Sequence, residues 1–131
     1  MIVDTSAIVA IARGEPGAEE LIEALVNSPN SRISAPNYVE LCAVLREQGR
    51  PEIGRVVDRL LDDYGIRIEA FDADQARIAA QAYRDYGRGS GHPARLNLGD
   101  TCSYALAHVS GEPLLFCGND FTHTDIRSAC G

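Results

Sequence analysis

The chain has 131 residues, 45% of them hydrophobic, with 19 acidic residues against 12 basic ones and a formal net charge of -7. That length and apolar content fit one folded domain over residues 1–131 with a sizeable core, and argue against intrinsic disorder. The longest strictly apolar run, Ala7 to Ala12, is far too short to cross a bilayer, and the bulk charge disfavours non-specific binding to nucleic acid.

The N-terminus reaches Asp4 at once, with no basic stretch before it, so no signal peptide is expected and a cytoplasmic location is the default. "IV" at 2–3 reads as a short buried strand entering a helix at Thr5 or Ser6. After "RGEPG" a second helix is expected, with Pro16 near its first turn and Ala18, Leu21, Ile22, Leu25 and Val26 as its apolar stripe. "RISA" reads as a strand, followed by a helix from Pro36 to Gly49. "PEIGRVVDRLLDDYG" is the clearest helix, with a stripe of Ile53, Val56, Val57, Leu60, Leu61 and Tyr64.

"IRIEAF" alternates as a strand does, and "DADQARIAAQAYRDYG" returns to helix. A flexible Gly/Arg-rich loop, "RGSGHPARLN", leads to the helix "GDTCSYALAHVSG", the strand "PLLFC" and a final loop and turn. Short apolar strands alternating with amphipathic helices predict an α/β fold with a mostly parallel sheet. Cys42, Cys102, Cys117 and Cys130 lack metal-ligand spacing and read as reduced thiols, with Cys42 and Cys102 inside helices. Every basic side chain is Arg and none is Lys, which a GC-rich genome accounts for.

Parallel sheets bind ligands beyond the carboxyl ends of their strands, and that rule singles out four acids. Asp4 directly follows the first strand, Glu40 lies one turn into the helix after "RISA", Asp100 opens a late helix, and Asp120 follows "PLLFC". Taken singly, Asp100 reads as a helix N-cap, Asp120 as a turn residue and Glu40 as a solvated helix residue. Asp4, flanked by apolar residues, is harder to dismiss. Grouped carboxylates repel one another unless a cation compensates them. Mg²⁺ or Mn²⁺ suits an all-oxygen pocket, where it supports attack of activated water on a phosphodiester.

"IVDTSA", the Glu within "NYVELCAVL", "LNLGDTCSYALA" and "PLLFCGNDFTHTDI" together resemble the ordered motifs of PIN-domain nucleases, most closely the VapC toxins of VapBC toxin–antitoxin systems. The resemblance covers nearly the whole chain. It implies an α/β/α sandwich and an endoribonuclease that needs Mg²⁺ or Mn²⁺ and cuts structured RNA, tRNA or rRNA, at a single-stranded loop. Asp4, Glu40, Asp100 and Asp120 match the family's acids, with Asp4, Asp100 and Asp120 as metal ligands. Thr5 or Ser6 would order the site. Some members carry an Asp or Asn where this chain has Gly118, so the fourth ligand would be Asp120, with Asp125 as a supplement or substitute.

The resemblance further implies a homodimer, and a VapB-type antitoxin whose C-terminal segment covers the acids and inserts an Arg. Arg84, Arg88 and Arg95 are candidates for gripping RNA phosphates. His92 reads as an idle loop residue, His108 as structural, and His123 as a possible substrate contact. Two other readings compete: an inactive PIN-like module that only binds a protein or RNA, and a phosphatase using Asp4 as nucleophile. The second usually wants another acid two residues on, where Ser6 stands.

Overall fold

Alternate residues of four short strands point to opposite sides of one sheet, and that alternation builds two cores. The protein is described from a computed structural model over residues 1–46 and 52–130. The expected helix end at Gly49 and the side chain of Ile53 lie outside what is described. In chain order the elements are β1 (Ile2–Val3), α1 (Thr5–Arg13), α2 (Ala18–Val26), β2 (Arg32–Ser34) and α3 (Ala35–Arg46). These are followed by α4 (Glu52–Asp63), β3 (Arg67–Glu69), α5 (Ala73–Tyr86), α6 (Leu98–Ser110) and β4 (Leu114–Leu115).

All three strand pairings are parallel, with Ile2 opposite Leu114, Val3 opposite Leu115, and Ile33 opposite Ile68. Val3, Ile33 and Leu115 face one core with Ile8 of α1, Leu25 of α2, Leu41 and Leu45 of α3, and Val57 and Leu61 of α4. Ile2 and Leu114 face the other, with Ala82 of α5, Tyr104 and Leu106 of α6, and Phe121. The result is the expected α/β/α sandwich with a parallel sheet.

The strand order is β3-β2-β1-β4. The chain moves outward from β1 to β3, then returns to lay β4 on the other side of β1. That reversal opens a crevice at the carboxyl ends of β1 and β4. The opposite ends are held by charge: the α-amino group of Met1 lies 2.6 Å from Glu112, and Arg32 bridges Glu112 and Glu69. Burial and these partners compete at Glu112, and the hydrogen bond from the N-terminus wins, holding its carboxyl below the ordinary value.

The second helix begins directly after Gly17, as expected, with Gly17 at φ of 90° as its cap and Pro16 in the turn before it. Three local expectations are corrected. Val26 closes the periodic stripe of α2 but is exposed. Ile68 is half exposed because β3 is an edge strand. The C-terminal segment is more than a turn: Leu114 N–H donates to Arg127 O and Ala129 N–H to Leu114 O, both at 2.9 Å, extending the sheet beyond β4 by a bridge at Ser128.

Candidate active site

Asp4 ends β1 and caps α1. Its Oδ2 accepts from the Ser6 backbone N–H at 3.0 Å and the Ser6 hydroxyl at 2.6 Å, and its Oδ1 accepts from the Ser103 hydroxyl at 2.5 Å. Burial pushes the Asp4 carboxyl up, the serine hydrogen bonds pull it down, and the charge of Glu40 adds to the rise; the net direction is upward. Ser6 Oγ also accepts from Cys117 N–H at 3.0 Å, tying the start of α1 to the segment just past β4. Thr5, the other hydroxyl beside Asp4, instead donates to Asn37 O at 3.2 Å.

Asp100 is not the N-cap of α6. Asn97 holds that position, and the two form a capping box: Asn97 Oδ1 accepts from Asp100 N–H at 2.8 Å, and Asp100 Oδ2 accepts from Asn97 N–H at 2.9 Å. The helical spacing that puts Ser103 one turn from Asp100 brings both to the Asp4 side. Burial raises the Asp100 carboxyl to about 7, helped by the charges of Asp4, Asp120 and Glu40 and opposed by the Asn97 hydrogen bond. That one carboxyl therefore feels all three of the other predicted acids.

Glu40 reaches the same place from α3. A Cβ built on Gly99 would fall 2.0 Å from Glu40 Oε2, so the carboxylate lies directly over the first turn of α6. Asn37, fully buried one turn earlier on α3, donates from Nδ2 to Gly99 O at 2.9 Å. Its Oδ1 and the hydroxyl of Ser34, the last residue of β2, are buried without a hydrogen-bond partner. Asn37, Asn97, Gly99 and Ser103 were not singled out from sequence. The spacing N-x-x-D at 97–100 and the helical interval from Asp100 to Ser103 were the available signals.

Asp120 is exposed on the turn after β4. It lines an open cleft of about 410 Å³ with Arg88, Arg95, Asn119 and His123. Asp125 lies elsewhere, accepting from Tyr104 Oη at 2.7 Å. Arg84 sits on α5, where its guanidinium donates to Gln81 at 3.0 Å, apart from Arg88 and Arg95. His92 is not an idle loop residue: its Nδ1 accepts from Ala94 N–H at 3.1 Å and its ring packs edge-on against Tyr86. His108 stacks on Tyr104 with ring centroids 5.8 Å apart.

Among the described residues, no ion pair involves Asp4, Glu40, Asp100 or Asp120. Nor, among the described residues, do any three acidic, histidine or cysteine side chains stand close enough to close on one ion. Mg²⁺ asks for less than that, since it is usually held through one or two carboxylates and keeps several waters. The donors are all oxygen, and the raised carboxyls of Asp4 and Asp100 mark negative charge that a cation would relieve. The residues fit such an ion.

The PIN domain pattern matches residues 1–127. The chain belongs to the PIN-domain family. Within it the chain stands among the VapC ribonucleases: it is 79% identical over 130 residues to Ribonuclease VapC42 of Mycobacterium tuberculosis, covering 99% of each chain. The fold is shared with the crystal structure of M. tuberculosis VapC20, a sarcin-ricin loop cleaving toxin, at a TM-score of 0.72 and 18% identity, covering 96% of this chain and 98% of that one. A toxin-antitoxin complex from Klebsiella pneumoniae has the same fold, with a TM-score of 0.68 at 18% identity, covering 95% and 92%. Among the described residues, no helix is long and apolar enough to cross a membrane.

Proposed function

We propose that the protein is the toxin of a toxin–antitoxin pair, an endoribonuclease that needs Mg²⁺ or Mn²⁺ and cuts structured RNA such as tRNA or rRNA. The observation that carries this reading is the Asp100 carboxyl, raised to about 7 in part by the charges of Asp4, Asp120 and Glu40 at one sheet edge. Asp4, Asp100 and Asp120 would hold the cation, directly or through water. Bound there, it would activate water and neutralise charge building on the phosphodiester.

The chain's own groups have separable tasks. Ser6 and Ser103 grip the two oxygens of Asp4, so this carboxylate is oriented before substrate arrives. The capping box does the same for Asp100. Glu40, half-buried over Gly99, offers a carboxylate oxygen to accept a proton from the attacking water. Arg88 and Arg95, with Arg84 further along α5, meet the backbone of the RNA. Asp125, bonded to Tyr104, supports the loop that carries Asp120 instead of joining the acids.

The partners follow from the family and the charge. A VapB-type antitoxin would insert a guanidinium among the acids, replacing the charge of the cation, and the toxin would work as a homodimer in the cytoplasm. The test is cleavage of cellular RNA by the purified protein. Activity should appear with Mg²⁺ or Mn²⁺, stop in EDTA, and fall at least about a hundredfold in Asp4→Asn and Asp100→Asn while both variants stay folded. RNA binding without cleavage under either metal would instead favour a module that only binds.

A further inference from the structure

We propose that the cleft between the 88–95 loop and the 119–123 turn is a second phosphate site. There Arg88, Arg95 and His123 would hold the backbone of single-stranded RNA next to the scissile linkage. The inference rests on the ribonuclease reading and adds to it where the strand lies.

The local charge is the first argument. The chain carries -7 overall, yet the cleft is lined by two arginines against one carboxylate, Asp120, a balance of +1 before His123 is counted. Among the described residues, neither guanidinium has an ion-pair or hydrogen-bonded side-chain partner, although the chain offers 19 acids. Paired unsatisfied guanidiniums in one concavity are suited to phosphate oxygens. At about 410 Å³ the cleft falls within the range that receives a small ligand or one nucleotide.

Construction of the walls is the second argument. The neck of the loop is closed by Arg88 N–H to Leu96 O at 3.0 Å and Leu96 N–H to Tyr86 O at 2.9 Å. Inside it, the Ser90 hydroxyl donates to Gly87 O at 2.6 Å, and His92 packs against Tyr86. A loop expected to be flexible is thus cross-tied. Arg95 stands between buried Ala94 and Leu96 with φ of 50°, the sole non-glycine residue with positive φ among those described. A side chain held in that uncommon conformation points to a position imposed by the surroundings. On the facing wall, buried Phe121 anchors the turn against Phe116 at 5.2 Å between ring centroids.

Position is the third. Asp120 belongs to the cleft wall and also acts on Asp100, so the cleft opens directly beside the acids. No Phe, Tyr or Trp lines it, which suits gripping of the backbone over stacking of a base.

The experiment measures binding of a short fluorescein-labelled single-stranded RNA of mixed sequence across a salt series in Mg²⁺. Asp100→Asn protein is the reference, so that the probe stays intact. For single strands each lost phosphate contact makes the slope of log affinity against log salt shallower by about 0.7. The slope should fall by about 0.7 in Arg88→Gln and about 1.4 in Arg88→Gln/Arg95→Gln, and stay unchanged in Arg77→Gln, whose guanidinium is exposed and paired with Asp74 on α5. Thermal melts of each variant establish that it is folded. An unchanged slope in both Arg88 variants, or an equal loss in Arg77→Gln, overturns the cleft and leaves the ribonuclease reading standing. Failure of the reference protein to bind this RNA also overturns the cleft, while the ribonuclease reading stands or falls on cleavage of cellular RNA.

Discussion

A carboxyl that titrates near neutrality must leave a trace in stability. Asp100 is raised from 3.8 to about 7 in the folded chain. Between those values the folded state keeps a proton that the unfolded state has released, so stability falls as pH rises through the window. Asp4, also raised, acts in the same direction. The melting temperature of the metal-free protein should therefore drop between pH 5 and pH 8, by an amount corresponding to a few kcal/mol. Asp100→Asn should flatten that drop. Adding Mg²⁺ should raise the melting temperature more at pH 8 than at pH 5.5, because the ion binds the charged carboxylates. An equal metal effect at both pH values would count against a cation at these acids. Asp4 was legible in the sequence because charge interrupts an apolar run. Ser103 was not, since a serine on a helix carries no mark until the strand carrying Asp4 is laid beside it.

Between elements, the decisive contact is α3 against the first turn of α6. Glu40 Oε2 would stand 2.0 Å from any Cβ at position 99, and Asn37 clamps the same turn through Gly99 O. Gly99→Ala should separate stability from activity. Alanine favours helix over glycine by about 1 kcal/mol, and the atom in its way ends a flexible side chain, so the fold should hold. Glu40, however, must move off Asp100, and RNA cleavage should fall at least about tenfold; a variant with wild-type cleavage would remove Glu40 from the site. Helix existence was readable from periodicity throughout. Boundaries were less so: the start of α2 after Gly17 was readable, but Asn97 starts α6 ahead of the residues that look like its beginning. Sheet order was equally hidden, because two-residue strands say nothing about their neighbours.

At the scale of the whole molecule, the two ends of the sheet differ in how their charge is balanced. The amino ends carry compensated charge, with Glu112 between the Met1 amino group and Arg32. At the carboxyl ends of β1 and β4, Asp4, Glu40, Asp100 and Asp120 have no ion-pair partner among the described residues. Glu112 is lowered from 4.5, so its contribution is present above that value and is lost as pH falls through the lowered one. Together with the opposite trend at Asp100, which sets in above 3.8, this predicts that the metal-free protein is most stable at about pH 4. Glu112→Gln should lower the melting temperature at neutral pH and leave RNA cleavage per folded molecule unchanged. A large loss of specific activity would mean that the two ends are coupled.

The uncompensated burial of Asp4 and Asp100 also bears on how such a gene decays. In most enzymes an inactivating change at a buried residue also unfolds the chain and sends it to proteolysis. On the proposed reading, the neutral replacements that would silence the site would also relieve its repulsion, so silence and stability should rise together. Cells that escape a harmful activity through Asp4→Asn or Asp100→Asn should therefore accumulate intact, durable protein. Such protein would still occupy the antitoxin, so a single escape mutant could expose its neighbours' active copies.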